Sequence, residues 1–241
     1  MDRHPLHWDI EGRAHSDLYD DVFFSRADGL AETTHVFLEG NRLKQRFAAL
    51  PSGATFTIGE LGFGSGLNML ATIELWRSAA PAGAVLHLVS FEKHLLPPDA
   101  VNRMLAPWPH LLSLATPLIS AAADHETGEL EMDFGHDVHL KVMIGDVADR
   151  IADMAAPADA WFLDGFSPAK NPAMWYADLM AALATNTAED GTFATYTAAG
   201  WVRRNLEAAG FAVEKRPGFG RKREMMAGTL KKNSGSGEAC A

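Results

Sequence analysis

The sequence is poor in cysteine. Its one residue of that type, Cys240, lies at the extreme end, so an internal disulfide and a zinc site built on several thiolates are excluded. No apolar run approaches the ~20 residues needed to cross a bilayer. The opening stretch, MDRHPLHWDIEGRAHSD, is polar and charged, which fits neither a signal peptide nor a transit peptide. The expected location is the cytoplasm. Internal repeats are missing as well. So is positive net charge: 21 Lys and Arg stand against 31 Asp and Glu, a formal balance of −10. That argues against nonspecific nucleic-acid binding. The sign is uneven, however. Between Arg203 and Lys232 nine basic residues face three acidic ones, so this end carries +6 and the remainder −16. A basic end on an acidic body can guide a polyanion to one place, and it can equally be a plain solvated surface.

A length of 241 residues suits one large domain. Residues 1–29 read as irregular, anchored by Trp8, Tyr19, Phe23 and Phe24. From Ala31 to Leu50 apolar residues recur at helical spacing (Val36, Leu43, Phe47, Leu50) until Pro51-Ser52-Gly53 breaks the chain. Thr55 to Ile58 reads as a buried strand, followed by a glycine-rich turn and a helix from Leu67 to Ser78. Val85 to Phe91 is a second strand. Leu95 to Leu118 reads as helical pieces broken by prolines. Leu130 to Phe134 and Val138 to Ile144 form a hairpin around Gly135. A helix over Asp146–Met154, a buried strand over Ala160–Leu163 and a long helix over Met174–Ala188 follow. Thr192–Tyr196 is a strand, Gly200–Ala209 a helix, and Phe211–Lys215 a strand that pairs with a last antiparallel one, Glu224–Leu230. Such alternation predicts an α/β fold, a mostly parallel sheet with helices on both faces. The domain is expected to span residues 1–230, with 1–50 as an N-terminal extension and helix packed on it. The small polar residues 231–241 read as a disordered tail.

The segment with most chemistry is Glu60-Leu-Gly62-Phe-Gly64-Ser-Gly66-Leu-Asn68, set between a strand and a helix. Closely spaced glycines let the backbone turn tightly and approach a ligand without Cβ interference. The helix start beyond them offers free N–H groups. A glycine pattern alone is weak and occurs in dinucleotide binders too. Here the third glycine is at 66 rather than 67, and an acid precedes the run. That form resembles the first motif of Rossmann-like class I methyltransferases that use S-adenosylmethionine. There the acid corresponding to Glu60 faces the methionine amine. Two further acids follow strand ends in order. Glu92 can accept from both ribose hydroxyls, or can be a solvated strand-end acid. Asp146 can accept from the adenine amino group, or can serve as a helix N-cap.

Asp164-Gly165-Phe166-Ser167-Pro168 follows the strand that ends at Leu163. A carboxylate, an aromatic and a proline on a strand-end loop suit methylation of a nitrogen. An alkylammonium has no lone pair, so its proton must leave before attack. Asp164 can orient the amine and take that proton. Phe166 can stack on a planar base and favour the positive sulfonium. A turn at Asp-Gly and a core Phe are the bland readings of the same residues. The loop resembles the [Asp/Asn/Ser]-Pro-Pro-[Tyr/Phe] loop of amino-group methyltransferases, with Gly165 in place of the first proline.

Longer runs narrow the resemblance. Tyr19-Asp-Asp-Val-Phe-Phe-Ser25, Gly29-Leu-Ala-Glu-Thr-Thr-His-Val-Phe-Leu-Glu-Gly-Asn41, Glu60 to Asn68, Trp161-Phe-Leu-Asp-Gly-Phe-Ser-Pro-Ala-Lys-Asn-Pro172 and Arg216-Pro-Gly-Phe-Gly-Arg-Lys-Arg-Glu-Met225 resemble the methyltransferase domain of the bacterial tRNA 5-methylaminomethyl-2-thiouridine biosynthesis protein family. The resemblance runs from about Asp17 to Gly228. It implies methyl transfer from S-adenosylmethionine to the primary amine of 5-aminomethyl-(2-thio)uridine at the tRNA wobble position. It implies cofactor roles for Gly62, Gly64, Gly66, Glu92 and Asp146, catalytic roles for Asp164, Phe166 and Pro168, and a site-closing role for Tyr19–Asn41. From charge and resemblance together, Arg216, Arg221, Lys222 and Arg223 are expected on the tRNA backbone. Two-domain members of the family continue into an FAD-dependent oxidase; here the sequence ends without a second dinucleotide fingerprint. The expectation is a stand-alone enzyme or a fragment, with a separate FAD-dependent oxidoreductase acting upstream in the former case. The rivals are an N-methyltransferase acting on a small amine or a protein, and a silent binding module. A nicotinamide dehydrogenase fits the glycine spacing less well.

Overall fold

Alternating apolar residues and glycine-rich breaks become a sheet with helices on both sides. In the computed structural model the described residues are 3–23, 28–124 and 128–232. Phe24, Cys240 and all of the expected tail beyond Lys232 lie outside them. Strands β1 (Leu6–Trp8), β2 (Ala14–Ser16) and β3 (Asp21–Val22) make a small antiparallel sheet. This differs from the irregular segment expected there. Its strands are too short to show a period, and polar side chains hold them. The Asp9 carboxylate accepts from the Glu11 and Arg13 backbone N–H groups and from the Arg13 guanidinium, which closes the β1–β2 turn.

The main sheet contains β4 (Thr55–Leu61), β5 (Val85–Glu92), β6 (Glu129–Asp133), β7 (Val138–Ile144), β8 (Ala158–Leu163), β9 (Thr187–Thr195), β10 (Phe211–Pro217) and β11 (Glu224–Leu230). Their spatial order is β10-β11-β9-β8-β4-β5-β7-β6. β7, β5, β4, β8 and β9 run parallel. β6 returns antiparallel to β7, as the hairpin around Gly135 predicts. β11 inserts antiparallel between β9 and β10. The expected α/β class, with an antiparallel last strand, is the observed one.

Successive residues of a pleated strand face opposite sides. On β8, Ala160 and Phe162 therefore enter one apolar cluster, while Trp161 and Leu163 enter the other. Helices α1 (Gly29–Thr33), α2 (Leu43–Ala48), α3 (Leu67–Ala79), α4 (Pro98–Leu105), α5 (Pro109–Leu114) and α6 (Thr116–Asp124) precede α7 (Val147–Arg150), α8 (Ala177–Thr185) and α9 (Gly200–Ala208). α2 to α6 supply the first cluster and α7 to α9 the second. No described helix is long and apolar enough to cross a membrane.

Three helices differ from their expected extent. That over Asp146–Met154 is α7 followed by a 3-10 turn, Ile151–Asp153. The run from Ala31 to Leu50 is interrupted. α1 passes into a π-helical turn, Thr34–Glu39, and α2 restarts after Arg42, whose φ of 54° is left-handed. The cause is Asn41, buried in the break. Its amide donates to the carbonyls of Phe37 (3.1 Å) and Trp161 (3.2 Å) and accepts from the Thr192 hydroxyl (2.6 Å). A continuous helix would not turn this side chain onto β8 and β9. The helix expected over Met174–Ala188 becomes a 3-10 turn, Pro172–Trp175, and then α8, which stops at Thr185. Asn186 and Thr187 are drawn into the sheet instead: the Ala158 N–H donates to the Asn186 carbonyl (2.8 Å), and the Trp161 indole to the Thr187 hydroxyl (2.9 Å). Apolar spacing continues across this boundary, so periodicity alone carries the helix too far.

Removing Asn41 leaves buried carbonyls and a hydroxyl short of partners. Asn41→Ala is expected to lower the unfolding free energy by about 2–4 kcal/mol, measured by urea denaturation. A loss below about 0.5 kcal/mol, the range of ordinary surface substitutions, would show that the break does not depend on this side chain.

Candidate active site at the carboxyl ends of the strands

Parallel strands expose their carboxyl ends on one edge, and ligands bind there, where the strand order reverses. β4 lies between β5 and β8, and its end opens into a cavity of about 700 Å³, a size suited to a cofactor and a small reacting group. The glycine turn forms its floor. Gly62 has φ 90°, and a Cβ there would sit 2.7 Å from the Asp164 carbonyl, so only glycine lets the β4 and β8 ends approach this closely. Gly64 has φ 54°, and the nearest atom to an added Cβ is Phe23 Cδ1 at 4.0 Å. The space over Gly64 is therefore open to a ligand. Gly62 and Gly64 line the cavity, whereas Gly66 makes the left-handed step into α3.

Glu92 ends β5 and lines the cavity. One carboxylate oxygen accepts from the Gly64 N–H (3.0 Å) and the other from the His94 N–H (2.9 Å). The Phe63 N–H is a further backbone donor, and the carboxylate still keeps acceptor capacity for a ligand. Burial pushes its pKa up, and the backbone donors oppose this. Asp146 caps α7 by accepting from the Ala148 N–H (3.1 Å) and pairs with Lys93 (3.0 Å), which holds its pKa below the usual range. It also lines the cavity, so the capping and the ligand-facing readings coexist in one residue.

Glu60 is fully buried and lies outside the cavity lining. Sequence reasoning put it against the methionine amine. The structure instead gives its carboxylate to the Ser90 hydroxyl (2.5 Å) and the Asn68 amide (2.9 Å). Burial holds its pKa well above the carboxylate range. The residue between Glu60 and the cavity is Asn68, to which the sequence pattern assigns no role. Its amide also donates to the Asp164 carboxylate (2.8 Å), and its carbonyl accepts from the Thr33 hydroxyl (2.7 Å). A polar side chain in the first turn of the helix after the glycine loop was the available signal.

Asp164 opens to the cavity, and burial raises its pKa to about 6, against the opposing hydrogen bond from Asn68. Phe166 also lines the cavity, but one ring face is covered by Tyr19, whose ring stacks at 4.5 Å and 23°. Phe23 meets it edge-on at 5.2 Å. The Ser167 N–H donates to the Asp21 carboxylate (3.0 Å), and Lys170 pairs with Asp20. Residues Tyr19–Phe23 thus strap the Asp164–Pro168 loop. Pro168 is buried and lies outside the lining; it shapes the loop without facing the cavity.

The four basic residues expected on the tRNA backbone are divided. The turn between β10 and β11 reaches the cavity rim, where His35 donates to the Pro217 carbonyl (2.9 Å). Arg221 and Arg223 are exposed. The Arg216 guanidinium is committed to Glu214 and to the Gly40 carbonyl (2.9 Å). Lys222 belongs to the cavity lining: its ammonium pairs with Glu32 (2.9 Å) and lies 3.9 Å from the Tyr196 ring centroid. Tyr196 has no signal in the sequence, and Glu32 enters only within the Tyr19–Asn41 segment to which the resemblance gives a site-closing role.

Comparison with known proteins shows the family and the fold. The profile of a family described as S-adenosyl-L-methionine-dependent methyltransferase matches residues 110–231. The tRNA 5-methylaminomethyl-2-thiouridine biosynthesis bifunctional protein MnmC of Pseudomonas fluorescens is 49% identical over 224 residues, covering 92% of this chain and 34% of that protein. The protein of that name from Caulobacter vibrioides is 48% identical over 223 residues, covering 92% and 37%. The chain spans about a third of the length of these curated relatives. The crystal structure of MNMC2 from Aquifex aeolicus superposes with a TM-score of 0.74 at 25% identity, covering 96% of this chain and 72% of that one.

The raised pKa of Asp164 has a consequence for stability. A carboxyl with a pKa of about 6 when folded and ~3.9 when unfolded stabilises the fold fully below pH ~4. That contribution is lost as pH rises through 6. Asp164→Asn does not titrate. Its stability relative to the native protein should therefore rise by an amount on the order of 2 kcal/mol between pH 4 and pH 7, then level off. Thermal melts of both proteins across that range measure it; a constant difference would show that burial does not raise this pKa.

Proposed function

The chain belongs to the S-adenosyl-L-methionine-dependent methyltransferases, and on that premise we propose that it methylates the primary amine of 5-aminomethyl-(2-thio)uridine at the tRNA wobble position. The product is 5-methylaminomethyl-(2-thio)uridine. One observation carries the amine as acceptor: Asp164, a cavity-facing carboxyl with a pKa of about 6, lies beside the open glycine turn. The names of the curated relatives support tRNA as its carrier.

The residues present fit the donor. Gly64 leaves space for it, Glu92 keeps acceptors for the ribose hydroxyls, and Asp146 faces the same cavity for the adenine amino group. When bound, S-adenosylmethionine supplies a methyl carbon to the amine lone pair, and the carbon–sulfur bonding electrons stay on sulfur. Asp164 accepts the ammonium proton at a carboxylate oxygen and orients the freed lone pair. Asn68 fixes that carboxylate, so the gain is chiefly in-line positioning. Phe166 and Tyr19 wall the reacting centre against water, and Pro168 stiffens the loop. Exposed Arg221 and Arg223 contact tRNA phosphates from the rim. The acceptor must arrive as a primary amine. An FAD-dependent oxidoreductase, as a further domain or a separate partner, supplies it upstream.

The test is mass spectrometry of nucleosides from tRNA carrying 5-aminomethyl-(2-thio)uridine after incubation with the protein and S-adenosylmethionine. A gain of one methyl on that nucleoside is expected, with a loss of ~10²–10⁴-fold in rate for Asp164→Ala. Methylation of small amines or of protein, with tRNA untouched, would replace this reading by the rival one.

Glu92→Ala should weaken S-adenosylmethionine binding by about tenfold or more, since hydrogen bonds to a charged acceptor contribute roughly 1.5–3 kcal/mol. Calorimetry on the folded variant measures it, and unchanged affinity removes Glu92 from the donor site.

A further inference from the structure

The turn between β10 and β11 sends one cation inward. Lys222 is drawn over the cavity by two contacts: the Glu32 carboxylate at 2.9 Å and the Tyr196 ring face at 3.9 Å. The Glu32 side chain is 14% exposed and that of Lys222 42%, so the carboxylate is buried while the ammonium still reaches solvent. Tyr196 in turn donates its hydroxyl to the Gly165 carbonyl at 2.7 Å. One tyrosine side chain therefore links the Lys222 ammonium, over its ring face, to the carbonyl of the Gly165–Phe166 peptide at its hydroxyl. From α1 the group facing it is Glu32. From the end of β9 it is Tyr196, from the end of β8 Asp164, from the N-terminal strap Asp21, and from the π-helical turn His35 beside Pro217. Among the described residues lining this half of the cavity, Lys222 is the cation beside the carboxylates of Glu32, Asp21 and Asp164.

That arrangement poses a problem for an amine substrate. Carboxylates stabilise an ammonium, and an ammonium cannot attack a methyl group. Resting on the reading that the acceptor is an amine, we propose that Lys222 is a positioning residue of the transfer step. Its ammonium, clamped between Glu32 and Tyr196, offsets the surrounding carboxylates and holds the bound amine in its neutral, nucleophilic form. The same charge favours the ionised form of Asp164, which must be unprotonated to accept the amine's proton. Both effects act in one direction: without the cation, higher pH is needed before transfer can proceed. Contact with a tRNA phosphate, the role expected from charge alone, makes no such demand.

The experiment compares the native protein with Lys222→Met, Lys222→Arg and the double variant Arg221→Ala/Arg223→Ala. Two quantities are read. One is the single-turnover rate on tRNA carrying 5-aminomethyl-(2-thio)uridine as a function of pH. The other is the titration midpoint of the Asp164 carboxyl, followed by carbon-13 NMR without substrate. Lys222→Met should move the acid limb of the rate profile and the carboxyl midpoint upward by about half a unit or more. Lys222→Arg, which keeps the cation, should leave both near their native positions. The double variant should raise KM for tRNA and flatten its salt dependence without moving the limb.

If Lys222→Met behaves like the double variant, the residue is a phosphate contact and the proposal fails. It fails too if the rate drops by one factor at every pH while the midpoint stays put, since that is a structural role. A native protein inactive on this tRNA overturns the substrate reading instead, and the carboxyl titration still decides the charge role of Lys222.

Discussion

Asn68 has two amide hydrogens, and each goes to a different acid. One reaches Glu60, sealed beneath the sheet end, and the other reaches Asp164 at the cavity, while the carbonyl takes the Thr33 hydroxyl. One side chain thereby joins β4, the loop after β8 and α1. A carboxyl as deeply buried as Glu60 is costly unless hydrogen-bonded. Asn68 and Ser90 offset that cost, and in doing so the network fixes where Asp164 sits. The cavity depends on this arrangement: it can keep a carboxyl with a raised pKa in one orientation because a neutral amide, rather than a second cation, supports it.

The N-terminal segment is the second constraint. It has little apolar area of its own and gains structure by borrowing the site. Tyr19 and Phe23 pack on Phe166, and Asp21 and Asp20 hold the backbone of Ser167 and the side chain of Lys170. His4 is buried against the same rings, with its pKa lowered to about 4 by desolvation and the nearby His94. A neutral imidazole at that position suits an apolar cluster, and the Ser16 hydroxyl satisfies one of its nitrogens. Fold and site thus share residues, so neither can vary freely without the other.

The parts legible in the sequence were those with strong local signatures. β4, β5 and β7 are apolar runs with turn residues after them, and Gly62, Gly64, Glu92, Asp146 and Asp164 follow strand ends in order. All five line the cavity. What stayed hidden depends on contacts distant in the chain. Lys222 meets Glu32 across 190 residues, and Thr192 meets Asn41 across 151. No periodicity records such pairs. An acid before a glycine turn has two possible directions, and the sequence does not choose between them; in the fold Glu60 points to the interior beside the buried Ser90. The end of α8 was missed because Asn186 and Thr187 answer to hydrogen-bond partners on β8, whereas the apolar spacing runs on.

The insertion of β11 between β9 and β10 governs how the protein comes into being during synthesis. β9 and β10 have no direct pairing; each is hydrogen-bonded to β11. Until Leu230 has left the ribosome, one edge of β9 has no partner and β10 has nowhere to dock. The nascent chain carries most of its apolar core while still exposing an unpaired edge, the condition most prone to wrong association. The hairpin that closes this gap also delivers Lys222 to Glu32. Sheet closure and completion of the cavity are therefore one event, and a chain that has not yet extended past Leu230 has neither.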